Sequence, residues 1–141
     1  MPDFATLYLR TLPTEIWINQ YPGIQRVAIL LSKGASPVRY EIEAFAVSLT
    51  MNAMSEGEIP QHLAGFSNYA FSLHDSGKSQ NTKNVLEKIA QTKVVLGCVV
   101  DPSFDTEGLI GGFLSSWAIA QDGLLFARDQ IFGNNGEVLL S

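Results

Sequence analysis

The stretch KVVLGCVV, residues 93–100, is an almost continuous run of apolar side chains. Such a run is typical of a strand that is buried on both faces of a sheet, so residues 93–100 are predicted to form a central strand. Cys98 lies inside this run, and we expect apolar burial to raise the pKa of its thiol. A catalytic thiol needs an exposed, electropositive site, so the sequence argues against a cysteine nucleophile here.

Strand patterns recur on both sides of this segment. FATLYLRT (4–11) and QRVAILLS (25–32) are rich in aliphatic and aromatic residues, and LLFA (124–127) precedes a predicted hairpin in QIFGNNGEVLL (130–140). Residues 38–54 carry both helical and strand spacing. Because the turn before them is short, we favour a long strand that pairs back on 25–32, with a bulge near Ala44.

Helical patterns separate these strands. Thr14 is a candidate N-cap for a short helix, and apolar residues recur at helical spacing in residues 58–73, 81–92 and 105–123. A chain of 141 residues has the size of one domain, so we expect a single globular domain over residues 1–141. The predicted class is α+β: a mixed β-sheet of about five strands with three to four helices packed on it.

Charge and composition narrow the function. Nine basic residues against fourteen acidic ones give a net charge of −5, which disfavours a nucleic-acid partner. Charged residues make up 16% of the chain, whereas about 25% is typical of a soluble domain. A small, charge-poor domain leaves apolar surface that a partner can cover, so we expect a homo-oligomer, most simply a two-fold dimer.

Three features indicate a cytoplasmic protein. The chain has one cysteine, which excludes an internal disulfide and fits a reducing compartment. Its N-terminus shows no basic leader followed by an apolar stretch, so no secretory signal is expected. Its apolar runs fall far short of the roughly 20 residues that span a bilayer, so no membrane partner is predicted.

Acidic residues follow the predicted central strand. Asp101, Ser103, Asp105 and Glu107 place oxygen atoms between that strand and the next helix, as a hard cation such as Mg²⁺ or Ca²⁺ would require. Asp101, Asp105 and Glu107 are the candidate metal ligands, and Asp101 and Ser103 are candidate ligand contacts. The same residues are explained more simply as the N-cap and first turn of the helix, and the spacing does not match an EF-hand loop.

The helix predicted at 58–73 carries a second candidate site. His62, Phe66 and Tyr69 lie near one another on it and are candidates to line a small-molecule pocket. A histidine in such a place is more often exposed or hydrogen-bonded in place.

Aromatic residues beside turns are candidate interface anchors. Trp17, Tyr21 and Phe132 hold such positions, although core packing explains each of them equally well. No serine–histidine–aspartate order or other catalytic motif is present. The sequence therefore favours a non-catalytic, oligomeric domain that binds a protein partner or a small ligand and needs no cofactor. The alternatives are a metal-dependent enzyme or binder that uses the 101–107 loop, and a small-molecule sensor with a pocket near His62.

Overall fold

A computed structural model describes residues 3–33, 37–44, 47–75, 80–101, 114, 116–118, 121–132 and 138–141. Residues 114, 116–118 and 121 are helical. The named elements, in chain order, are β1 (Asp3–Leu9), α1 (Glu15–Asn19), β2 (Ile24–Leu31), β3 (Pro37–Ala44), β4 (Val47–Ala53), α2 (Ile59–Phe71), α3 (Gln80–Gln91), β5 (Val94–Asp101), β6 (Leu124–Ala127), β7 (Gln130–Phe132) and β8 (Val138–Leu140).

The strands form one sheet of eight, in the order β2-β3-β4-β5-β1-β6-β7-β8. Every neighbouring pair in this sheet is antiparallel. The combination of helices with a sheet agrees with an α+β class, but the prediction of a mixed sheet of about five strands is wrong. β5 lies in the interior of the sheet between β4 and β1, as its apolar run predicts.

The first reason for the difference lies in residues 38–54. The sequence shifts the apolar residues to the other parity near Ala44, and we interpreted the shift as a bulge within one strand. In the structure the chain reverses there, because Ala44 pairs with Val47 and Ile42 pairs with Leu49. One predicted strand is thus the hairpin of β3 and β4, and β3 pairs back on β2 as predicted.

The second reason lies in the connections. α2 and α3 both fall between β4 and β5, which are neighbours in the sheet. The first helix carries the chain away from the end of β4, and the second brings it back to the same end of the sheet. β5 therefore begins beside the point where β4 stops and runs in the opposite direction. Such a connection gives an antiparallel pair, whereas a single crossover helix gives a parallel one.

Helices cover both faces of the sheet. On the face that we call the Trp117 face, α1 and the helical residues near Trp117 pack on the strands, and the buried side chains are Ala5, Leu7, Leu9, Ile18, Tyr40, Ile42, Ala44, Leu49, Met51, Leu96, Cys98, Val100, Leu114, Trp117, Leu125, Ala127 and Phe132. On the opposite face, the Tyr8 face, α2 and α3 bury Tyr8, Ile59, Phe66, Ala70, Val85, Ile89, Val95, Leu124, Ile131 and Leu140. None of the described helices is long and apolar enough to cross a bilayer.

The Tyr8 face is covered unevenly. α3 contacts β6 and β8, at one end of the sheet. Towards the other end, β3 directs Arg39, Glu41 and Glu43 from this face into solvent, while Tyr40 and Ile42 are buried on the Trp117 face. The alternation in β3 is typical of a strand with one buried face and one solvent-exposed face.

Candidate functional site

Aromatic rings meet between α2 and β1. The hydroxyl of Tyr8 shares a hydrogen bond of 3.0 Å with Nε2 of His62. The rings of Tyr8 and Phe66 are stacked with centroids 4.3 Å apart, and Tyr69 meets Phe126 edge-on at 5.6 Å. α2 therefore brings His62 and Phe66 together around Tyr8, and it places Tyr69 against the neighbouring strand β6.

The side chains of this cluster pack on one another. Tyr8 and Phe66 are buried, and His62 is half-buried against them. Burial raises the pKa of the Tyr8 hydroxyl above its usual value, so the group stays protonated at neutral pH. Sequence reasoning missed Tyr8, because 54 positions separate it from His62 and no local pattern joins them.

The acidic loop is described in part. Asp101 is the last residue of β5; it is exposed and pairs across the sheet with Ser48. Ser103, Asp105 and Glu107 lie outside the described residues, and so does most of the helix predicted at 105–123. Within the described part of the chain, no three His, Cys, Asp or Glu side chains are grouped closely enough to hold a metal ion. A cation site on this loop stays a prediction.

The candidate interface aromatics pack within the chain. Trp17 stacks on Trp117 with ring centroids 4.6 Å apart, and Tyr21 is half-buried against the same core. Phe132 is 6% exposed. None of the three is among the large apolar side chains that the described surface exposes. Intramolecular packing accounts for their positions, and an interface role for Trp17, Tyr21 or Phe132 stays a prediction.

Cys98 lies in β5, and its thiol is fully enclosed. Desolvation raises the pKa of this thiol to about 12, so it is uncharged at neutral pH. Its sulfur donates a weak hydrogen bond to the carbonyl oxygen of Leu96 at 3.6 Å. The predicted burial and raised pKa are confirmed, and a buried neutral thiol is a poor nucleophile.

An open groove lies between the C-terminal end of α2 and the outer side of α3. Its volume is about 810 Å³, and its lining residues are Phe71, Leu73, His74, Asp75, Thr82, Lys83, Leu86, Glu87 and Ala90. Phe71 presents 66% of its surface to solvent, an unusual exposure for a phenylalanine beside a cavity. Leu73 and Leu86 also line the groove and are half-buried, and we call these two side chains its apolar floor.

Polar groups surround this floor. The carboxylate of Asp75 accepts hydrogen bonds from the backbone N–H of Thr82 at 2.6 Å and from its hydroxyl at 2.8 Å, which fixes the start of α3. Lys83, Glu87 and His74 are exposed. Within the described residues, neither Lys83 nor Glu87 forms an ion pair. Their charges face the solvent and anything that occupies the groove.

Comparison with models of protein families, with curated proteins and with solved structures finds no match. Of the regions described above, the groove between α2 and α3 combines open volume with exposed apolar surface and charged side chains. The cluster around Tyr8 consists of rings that pack on one another, and a ligand role for His62, Phe66 and Tyr69 stays a prediction.

Proposed function

We propose that the protein is a non-catalytic, cytoplasmic binding domain, and that the groove between α2 and α3 holds a small amphipathic ligand. The observation that carries this proposal is the apolar floor of a groove of about 810 Å³. Ligand sites in proteins enclose roughly 300–1,000 Å³ and are lined mainly by apolar and aromatic side chains with a few polar ones. The exposed ring of Phe71 and the side chain of Ala90 add an apolar wall to this floor.

The charges around the groove favour a ligand with one anionic end. Lys83 is a cation without an ion pair among the described residues, and His74 adds a second basic group. Asp75 is held by two hydrogen bonds from Thr82, which leaves Glu87 as the free carboxylate of the lining. A carboxylate on the ligand near Lys83 would gain a charge-assisted hydrogen bond, while its apolar body covers Phe71.

The same lining argues for binding rather than catalysis. The hydroxyl of Thr82 donates a hydrogen bond to the carboxylate of Asp75, and this bond holds it at the start of α3. Cys98 and Tyr8, whose thiol and hydroxyl could act as nucleophiles if ionised, are buried outside the groove and have raised pKa values. Nucleophilic catalysis requires an activated group that the substrate can reach.

Thermal unfolding with dodecanoate, kept below its micellar concentration, tests the proposal. Binding at ten times the dissociation constant adds about 1.4 kcal/mol to the unfolding free energy, which corresponds to a melting temperature raised by about 5 °C. Dodecanol, which has the same apolar body without the charge, is expected to give a smaller rise.

Three variants locate the effect. Ala90→Glu puts a charge against the apolar wall and is expected to abolish the rise with both compounds. Lys83→Gln removes the cation and should reduce the dodecanoate rise to that of dodecanol, whereas Lys33→Gln, a matched exposed lysine outside the groove lining, should leave it unchanged. The assignment fails if dodecanoate gives no rise, or if Ala90→Glu responds like the parent protein.

A further inference from the structure

The two edges of the sheet are built differently. β8 has three residues, and its outer side is already occupied: Asp75 forms a β-bridge with Leu140, and the backbones of His74 and Ser141 exchange hydrogen bonds of 2.7 and 3.1 Å. β2 has eight residues, and within the described chain its one strand partner is β3. One edge is closed by its own chain, and the other presents a long row of backbone donors and acceptors that no described strand covers.

The central segment of β2 has few of the features that usually protect an edge strand. Edges are commonly kept from pairing by lysines, prolines, bulges or very short length. The sequence of β2, IQRVAILL, has one charged residue, Arg26, and no proline or lysine. Its pairing with β3 is irregular at both ends, between Ile24 and Arg26 and between Leu30 and Leu31. The central segment, residues 26–30, is regular.

Exposed apolar side chains gather at this edge. Leu30 and Leu31 of β2 are 44% and 57% exposed, Val38 of the adjoining β3 is 41% exposed, and Ile16 of α1, which contacts β2, is 75% exposed. These four are half of the eight large apolar residues that the described surface exposes. They lie on both faces of the edge, because Leu30 pairs with Arg39 of the Tyr8 face, whereas Val38 alternates with Arg39 and lies on the Trp117 face. Each leaves apolar surface beside the backbone of β2 that a partner can cover.

We propose that a second copy of this chain pairs with this edge, β2 against β2 and antiparallel, with the two-fold axis at Ala28. Val27 and Ile29 of β2 pack against the Trp117-face core. In this register Val27 lies opposite the partner's Ile29, and the reverse pair lies on the other side of the axis. Such β-branched cross-strand pairs are favourable, and they join the two apolar cores into one continuous layer.

The single charge of β2 disfavours registers whose axis lies closer to Arg26 than Ala28 does. With the axis at Ala28, Arg26 lies beside the partner's Leu30, and the two arginines are about 14 Å apart along the strands. That separation exceeds the Debye length of about 8 Å at physiological ionic strength, so their repulsion is screened. With the axis at Val27 the arginines would approach to about 7 Å. With the axis at Arg26 they would be directly opposite each other.

The dimer leaves the ligand groove free. The groove is formed by α2 and α3, and α3 contacts β6 and β8 at the end of the sheet opposite β2. The inference therefore stands independently of the ligand proposal. A strand pairing with a few flanking side chains buries less than the roughly 1,200–2,000 Å² of a stable interface, so we expect dissociation in the micromolar range.

Sedimentation and light scattering between about 1 and 200 μM test the proposal, the range being chosen to bracket a micromolar constant. We expect the parent chain to approach twice its monomer mass of 15.4 kDa as the concentration rises. Leu30→Lys places a cation beside the partner's Arg26 at two symmetric positions and is expected to weaken the dimer by about tenfold. Leu30→Glu places an anion there and is expected to preserve or tighten it.

Val138→Lys on β8 is the matched control, because Val138 is 40% exposed at the other edge, and it should leave the dissociation constant unchanged. Circular dichroism of each variant separates loss of association from loss of folding. A parent chain that remains monomeric at 200 μM overturns the proposal. So does a dimer that responds alike to lysine and glutamate at position 30.

Discussion

Gly123 connects the helical residues near Trp117 to β6, at a point where two backbones nearly touch. Its N–H donates to the carbonyl oxygen of Ala118 at 2.8 Å. A Cβ added to this glycine would lie 2.2 Å from the carbonyl oxygen of Tyr8 and 3.2 Å from a methyl group of Leu9. The first distance is far below van der Waals contact, so Gly123→Ala requires the backbone to move.

The strand that carries that oxygen has little freedom to yield. Tyr8 lies in β1, paired with Leu124 on one side and with Val95 on the other. Overpacking of this kind costs about 1–3 kcal/mol, and we expect the upper part of that range because the contact is with backbone. The melting temperature should then fall by about 10 °C for a domain of this size.

Gly65→Ala is the matched control. Gly65 lies on the exposed side of α2, and a Cβ there would meet nothing within 4 Å. Alanine is favoured over glycine inside a helix by about 1 kcal/mol, so this variant should melt about 3 °C higher. Both variants are compared by urea unfolding and by thermal unfolding. The steric argument is refuted if Gly123→Ala lies within 0.5 kcal/mol of the parent, or if both alanines shift stability in the same direction.

Two further predictions concern buried and capping groups. Burial raises the pKa of the Cys98 thiol from 9.0 to about 12, so the folded state holds this proton more tightly than the unfolded state. The stability that this group contributes is complete below pH 9 and is lost as the pH rises to about 12, at about 1.4 kcal/mol per pH unit. In urea unfolding between pH 8 and 10.5, the unfolding free energy of Cys98→Ala should therefore fall less steeply with pH than that of the parent. Equal slopes for the two proteins would contradict this. Asp75→Ala removes the acceptor of two hydrogen bonds from Thr82 and should cost about 1–2 kcal/mol in urea unfolding, with faster amide exchange in the first turn of α3; exchange that speeds equally in α2 would argue for a global effect instead.

The sequence located most elements, because neighbouring residues determine them. Thr14 is the N-cap of α1, as predicted, and its hydroxyl accepts from the backbone N–H of Trp17 at 3.2 Å. The apolar periodicities in 58–73 and 81–92 mark α2 and α3 to within two residues, and the run at 93–100 marks β5. These signals are local, since helical spacing and capping residues act within one or two turns.

The sheet and the candidate groove were not predictable in the same way. The sequence around Ala44 shows that the apolar parity changes, but a bulge and a two-residue turn leave the same trace there. The structure distinguishes the two, because Val47 pairs with Ala44 and so lies in a separate strand of a hairpin. The groove likewise joins Phe71 at the end of one helix to Ala90 near the end of the next, and no single stretch contains its lining.

The sequence by itself therefore determined the burial of Cys98, the two helices α2 and α3 and the central place of β5, because each follows from the side chains of one segment. The tertiary structure alone decided the antiparallel order of the eight strands, the contact between Tyr8 and His62, and the difference between the two edges: β8 is bridged by Asp75, whereas β2 has β3 as its one strand partner among the described residues. These features depend on which segments meet. Backbone hydrogen bonds are chemically alike for every residue pair, so only the packing of the whole chain selects among the possible pairings.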